Sequence, residues 1–235
     1  MHSSPRFART WANWRECPPS GEGQLRLTPD RAKLRDWTMP AWTDNLLWFI
    51  RRYILRSKRE RWNHSYRRGD WESLKDQAEL PRLDAVASML SKHTSHPRVL
   101  EIGCGEALLQ RRLTADGYSR WLGVDLSDLV IETARQFSGP HVDYMAADMR
   151  EFQTAEQFDA IIFTESINYV EHRDQVLRHY IPFLAPHGVF IISLYEQVRS
   201  PRMWNEVGLV LDTVDTIVTE NERGKWVCKV LRPCS

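Results

Sequence analysis

VLEIGCGEA, Val99 to Ala107, decides the fold of this 235-residue chain. Aliphatic and β-branched residues around one acid break abruptly into Gly103-Cys104-Gly105, and helix-forming residues follow. The pattern predicts a strand, a tight turn and a helix start. Glycines at such a junction let the backbone take conformations a Cβ forbids and let a ligand approach the main chain closely. Two details set it apart from a dinucleotide cradle. Ala107 follows the GxG in the next alternate place, and Leu108 stands where GxGxxG requires its third glycine. Glu101, two residues before Gly103, would repel a diphosphate and attract an ammonium or accept hydrogen bonds. The ligand so described is cationic and nucleoside-like.

Outward from this turn the pattern is regular. Apolar runs at 98–102, 121–124, 142–146, 160–163 and 189–194 predict strands, alternating with helical segments near 107–116, 127–136 and 174–184. Strand–helix–strand spacing of this kind gives right-handed crossovers and a parallel sheet. The tail differs: Leu211 to Thr219 and Lys225 to Leu231, parted by a polar turn ending in Gly224, predict an antiparallel hairpin. On the other side, Asn63 to Leu74 joins a turn to a helix running to about Lys92, which Pro81 should break or kink.

The N-terminal part is a different physical object. Residues 1–68 hold 15 Lys and Arg against 6 Asp and Glu, whereas residues 69–235 hold 17 against 25. The near-neutral total therefore hides a basic segment of about +9 and a remainder of about −8. Seven of the ten tryptophans fall within the first 71 residues. Residues 1–40, rich in Pro and Gly without a sustained period, are expected to be irregular or partly disordered, with a weak likeness to a transit peptide in Arg6, Arg9 and Arg15. From Thr43 an amphipathic helix is expected, with Leu46, Leu47, Ile50, Ile54 and Leu55 on one face and a run of Arg and Lys alongside. Such a helix could pack on the main domain or a dimer partner, or lie on an anionic membrane. The expected division is a 1–40 tail, a 41–95 helical cap and a 96–235 cofactor-binding domain. No apolar run approaches the roughly 18 residues that span a bilayer. Four cysteines without metal-ligand or disulfide spacing (Cys17, Cys104, Cys228 and Cys234) point to a reduced, cytoplasmic setting.

In an open parallel sheet, ligands bind at the carboxyl ends of the strands where the winding reverses. The second strand ends Asp125-Leu126-Ser127, placing a carboxylate 22 residues after Gly103, about where an acid takes both ribose hydroxyls. Helix capping is the other reading of Asp125, and Ser127 fills that role better. The third strand ends in Asp148-Met149, which suits an adenine: the carboxylate accepts from the exocyclic amine and the thioether packs on the ring. The fourth strand ends in Thr164-Glu165-Ser166, with Asn168 and Tyr169 close behind.

With these residues in this order, the segment from about Ser65 to Val230 resembles the class I S-adenosylmethionine-dependent methyltransferases, most of all those acting on small molecules. The resemblance implies a Rossmann-like, doubly wound, mostly parallel seven-stranded sheet with an antiparallel C-terminal hairpin and an N-terminal helical extension. It also implies that Glu101, Gly103, Cys104, Gly105, Asp125, Leu126, Asp148, Met149 and Glu165 line the S-adenosylmethionine site. An aromatic stretch, Trp62, Tyr66, Gly69 and Trp71, looks like the family's closing segment, with Tyr66 and Trp71 over the cofactor. Ala107 replaces a frequent glycine and is small enough to be harmless.

Methyl transfer from a sulfonium is an in-line displacement that needs alignment and no metal. Glu165, Tyr169 and His172 are the candidate catalytic groups; Glu165 serves equally well as a support for the cofactor's amino group or the Ser166 loop. The expected partner is a small-molecule acceptor receiving the methyl on N, O or C. No NPPY or DPPY tetrapeptide follows the fourth strand and no recognition module accompanies the basic segment, so nucleic acid is disfavoured. The competing reading is a methyltransferase-like binding or scaffold module docked to a partner or membrane through residues 41–62. Monomer and homodimer are both compatible with the chain.

Overall fold

The computed structural model describes residues 57–234. The tail expected over 1–40 and the amphipathic helix expected from Thr43 up to residue 56 lie outside them. Seven strands form one sheet: β1 (Arg98–Ile102), β2 (Arg120–Asp125), β3 (Val142–Ala146), β4 (Phe158–Thr164), β5 (Leu184–Tyr195), β6 (Leu211–Asn221) and β7 (Gly224–Pro233). Their order is β3-β2-β1-β4-β5-β7-β6. The first five pair in parallel, and β7 pairs antiparallel with both β5 and β6. This is the doubly wound layout with the hairpin finish that the resemblance implies. Its winding reverses between β1 and β4, which puts the ligand crevice at their carboxyl ends.

Burial explains why the central strands read as continuous apolar runs. Val99, Leu100, Ile161 and Phe190 are fully enclosed, with helices on both faces of the sheet. One core cluster packs α4 (Arg173–Tyr180) and α5 (Ser200–Gly208) against one face through Leu177, Tyr180, Met203 and Val207. The other packs α2 (Leu80–His93) and α3 (Asp128–Ala134) through Val86, Leu90, Ile131 and Trp121.

Four local features depart from the pattern. The helix expected near 107–116 is absent: Ala107 takes a left-handed φ of 62°, and the chain continues through turns and two short 3-10 pieces, Gln110–Arg112 and Ala115–Gly117. Ala107 is therefore not a neutral stand-in for glycine, since a Cβ in that region costs roughly 1–2 kcal/mol. Pro81 does not kink a helix. It sits in the first turn of α2, where its missing N–H has no intrahelical partner to lose. A helix of its own, α1 (Lys58–Arg67), starts at Ser57, whose extended backbone and reciprocal bonds with Glu60 form a capping box. Finally, α5 was not anticipated, although Pro201 in its first turn and Met203 and Val207 at i, i+4 carry a helical signal.

Candidate active site

The turn after β1 is clamped to β2. The N–H groups of Gly103 and Cys104 both donate to the Val124 carbonyl, at 2.7 and 3.1 Å. Gly103 has φ 78°, and a Cβ there would overlap the side chain of Ser166, whose hydroxyl donates to the Ile102 carbonyl. Glycine is thus required twice over at this position, by conformation and by space. Gly105 is also left-handed, at φ 52°, and its N–H donates to Asp125 Oδ2 at 3.1 Å. Asp125 Oδ1 accepts from the Ser127 N–H at 2.9 Å, while Ser127 itself caps α3 through the Val130 N–H. The capping role goes to Ser127, and Asp125 is left at the strand end between two loops with Leu126 beside it.

Three carboxylates stand at three adjacent strand ends, each in a different electrostatic condition. Glu101 is 2% exposed, and its Oε2 makes no hydrogen bond. Burial pushes its pKa to about 8, and the indole of Trp121 eases this only in part. Burial likewise raises Asp125 to about 6, against the pull of its backbone N–H donors. Asp148 goes the other way: the Arg150 guanidinium, 2.6 Å away, holds it down at about 2. Met149 packs against the core, and its carbonyl accepts from the Tyr180 hydroxyl at 2.8 Å.

Above these ends lies an aromatic group. Trp62 and Trp71 stack at 5.4 Å, Tyr169 meets both edge-on, and Tyr66 lies 6.2 Å from Trp71. The Tyr66 hydroxyl sits 3.4 Å from where a Cβ on Gly105 would be, which places it over the glycine turn. The segment is tied down by polar contacts. Asn63 Nδ2 donates to Asp128 at 2.6 Å, Ser127 donates to Asn63 Oδ1 at 2.6 Å, and Lys75 pairs with Glu106 at 2.8 Å. Sequence reasoning missed Asn63, a buried polar residue within the very stretch it singled out.

The fourth strand ends differently. Glu165 has φ 52°, and both of its oxygens are occupied: Oε1 accepts from Ser193 at 2.7 Å and Oε2 from the Tyr195 N–H at 2.6 Å. Burial raises its pKa. Burial also raises the Tyr169 hydroxyl beyond the physiological range, so that it stays protonated. His172 is exposed; it precedes α4 in a left-handed conformation, and its carbonyl takes the N–H groups of Gln175 and Val176. A cavity of about 560 Å³ opens here, lined by Tyr169, His172, Gln175, His179, Lys58 and Arg150. Tyr169 and His172 therefore line one cavity, whereas Glu165 is not among its lining residues and is bonded to β5 instead.

A family model of the methyltransferase domain matches residues 99–188, from β1 into β5. Residues 99–188 carry a methyltransferase domain of the class I S-adenosylmethionine-dependent type. A ubiquinone biosynthesis O-methyltransferase of Rickettsia felis is 27% identical over 124 residues, 50% of this chain and 50% of that protein. The chain thus spans about half the length of the curated relatives it matches first. Among solved structures, the N-methyltransferase NodS of Bradyrhizobium japonicum with S-adenosyl-L-homocysteine aligns at a TM-score of 0.61 and 20% identity, over 70% of this chain and 92% of that one. The 1,6-didemethyltoxoflavin-N1-methyltransferase of Burkholderia thailandensis aligns at 0.65 and 16% identity, over 86% and 93%. At these identities the structural likeness speaks for the fold.

The residues of this methyltransferase domain fit the cofactor class. Glu101 offers a buried, unpartnered carboxylate oxygen to a cation, and the glycine turn leaves the main chain open to a nucleoside. Thr164 Oγ1, Asn168 Oδ1 and Trp71 Nε1 are likewise buried without partners around the same strand ends. Native interiors leave few such groups, and four of the seven among the described residues belong to these strand ends, the loop after β4 and the aromatic group above them. Among the described residues no helix is long and apolar enough to cross a membrane, and no His, Cys, Asp and Glu cluster is placed to hold a metal ion.

Proposed function

We propose that the chain is an S-adenosylmethionine-dependent methyltransferase that moves the sulfonium methyl to an N, O or C nucleophile of a small metabolite. The observation carrying this reading is the unpartnered Glu101 oxygen beside a glycine turn whose N–H groups are organised by Val124 and Asp125. When bound, the cofactor supplies an electrophilic methyl on a positively charged sulfur, which needs alignment and no strong catalyst. Glu101 would take the ammonium, Asp125 the ribose hydroxyls, and Asp148 with Met149 the adenine. Asp148 Oδ1 already accepts from the Arg150 backbone N–H and Nε, so the spare lone pair is on Oδ2, which takes only one Arg150 nitrogen. Tyr66, Trp71 and Cys104 would close the site and exclude water.

On the acceptor side, Tyr169 would act as a hydrogen-bond donor and His172, on the lining of the same cavity, as the candidate general base. Glu165 would hold the rim in place by joining the end of β4 to β5. Two printed names, a ubiquinone biosynthesis O-methyltransferase and a 1,6-didemethyltoxoflavin-N1-methyltransferase, support a small-molecule acceptor and leave the methylated atom open. Calorimetry of the full chain with S-adenosylmethionine tests the reading. Saturable binding that Asp125→Ala weakens about 100-fold is expected, because a ribose-binding carboxylate makes charge-assisted bonds. Folded protein that does not bind overturns it.

A further inference from the structure

The cavity beside His172 holds more positive charge than its own lining cancels. Lys58, the first residue of α1, and Arg150, in the turn after β3, both line it. Lys58 is half-buried and makes no hydrogen bond or ion pair among the described residues. Burial holds its pKa below the usual lysine value, and the Arg150 and Arg61 charges act the same way against the pull of Asp148. Arg150 is engaged on one edge only: Nε and Nη2 bond Asp148, and Nη1 has no partner among the described residues. Glu171 is the single acid among the lining residues, and it is exposed and joined to neither cation. His179 serves the core instead, since its Nε2 donates to the Phe152 carbonyl at 2.7 Å and its ring meets Tyr180 and Phe183 edge-on.

The rest of the lining is of another kind. Val170 and Val176 are buried, and the Tyr169 ring is held edge-on by Trp62 and Trp71. A neutral apolar ligand would leave a half-buried ammonium without a counter-charge, and a small inorganic anion would leave the apolar wall bare. A ligand with an apolar body and an anionic group answers both. We propose that the cavity selects a methyl acceptor of that class, an amphiphilic acid whose carboxylate or phosphate is held between Lys58 and Arg150 while its body lies on Tyr169, Val170 and Val176. This rests on the methyltransferase reading above and adds to it the class of substrate. The cavity's volume of about 560 Å³ is that of a small-molecule site. Arg150 gives its Nε and Nη2 edge to Asp148, so the two cations reach the ligand as separate point charges rather than as a bidentate fork. Anchoring one end of the acceptor in this way supplies the alignment that an in-line displacement needs most.

Calorimetry on the full chain in saturating S-adenosylhomocysteine tests it with three probes of one shape: naphthoate, naphthyl phosphate and the uncharged naphthamide. The wild-type chain is expected to bind at least one of the two anions about tenfold more tightly than the amide, the low end of a charged hydrogen-bonded contact. The tighter anion names the group. Lys58→Gln is expected to bring both anions within threefold of the amide, whereas Lys58→Arg, which restores the charge, keeps the preference. Both variants leave the Ser57–Glu60 capping box of α1 in place and should bind S-adenosylhomocysteine within threefold of wild type. Wild-type chain that binds none of the probes, or all three alike, overturns the inference alone, as does a preference for anions that survives Lys58→Gln. Folded chain that prefers anions through Lys58 but does not bind S-adenosylhomocysteine overturns the methyltransferase reading and, with it, the identification of the anion as an acceptor.

Discussion

The carboxyl ends of β1 to β3 and those of β4 and β5 carry similar residue types and opposite internal accounting. On the first side Glu101 is buried with an oxygen unused, and Asp125 is held at about 6 by burial despite two N–H donors. On the second, Glu165 is equally hidden and fully partnered by Ser193 and Tyr195. A carboxylate that the fold leaves unsatisfied is destabilising unless a ligand completes it. One that the fold satisfies needs no ligand and acts as a joint. On the reading proposed above, the β1–β3 side takes a cation that arrives from outside, while the β4–β5 side stays in place under an aromatic cover.

The largest effect that could break this contrast is Asp125→Ala, with its expected loss of about 100-fold in S-adenosylmethionine affinity. Affinity within threefold of wild type would remove Asp125 from the ligand side altogether. Next, Glu165→Gln keeps both hydrogen-bond positions fillable and is expected to retain turnover within about fivefold, once an acceptor is in hand. A loss of 100-fold or more, the size of a missing general base, would make Glu165 a catalytic group and dissolve the contrast.

Glu101 sharpens it through stability. With a folded pKa of about 8 against an ordinary 4.5, the folded chain holds a proton that the unfolded chain releases. Wild-type stability should therefore fall as pH rises from about 4.5 to 8, with Asp125 adding to the fall below about 6. Glu101→Gln removes the first part of that slope. Thermal midpoints followed from pH 5 to 8 should fall less in the variant, which should also bind S-adenosylmethionine more weakly. Parallel slopes would contradict the ionisation assigned to Glu101. The smallest effect belongs to Ala107: relieving its φ of 62° by Ala107→Gly should change stability by no more than about 1 kcal/mol in the favourable direction, because glycine's added chain entropy offsets most of the strain. Chemical denaturation measures it, and a clear destabilisation would mean the Ala107 methyl packs better than its backbone suffers.

The two regions also differed in how far the sequence could be read. At β1 to β3 the chemistry is local: Glu101, Gly103, Asp125 and Asp148 each sit at a strand end, so the alternation of strand and turn placed them before any coordinates did. The seven strands and the closing hairpin followed from the same periodicity, although β5 and β7 extend beyond their apolar centres. What was not legible depends on partners distant in sequence. Glu165 looks like a base until Ser193 and Tyr195, roughly 30 residues on, close around it. Asn63 acquires its role only by meeting Ser127 and Asp128 across more than 60 residues. The buried Arg82–Glu79 pair left a weak trace, as an i, i+3 charge pair beside the apolar stripe of Leu83, Val86 and Met89. The missing helix after β1 left none, because helix formers there are overridden by the left-handed turn that the site requires.

The central claim is that the β1–β3 ends await a cation, and proton counting tests it directly. An ammonium beside Glu101 favours its ionised form, so S-adenosylmethionine binding at pH 7 should release a proton, and affinity should rise with pH until about 8, where the free carboxyl is already ionised. Calorimetric titration of the full chain in two buffers of different ionisation enthalpy reads that proton. The account predicts binding accompanied by release of between about half a proton and one; binding with no proton exchanged, or no binding by folded protein, would contradict it.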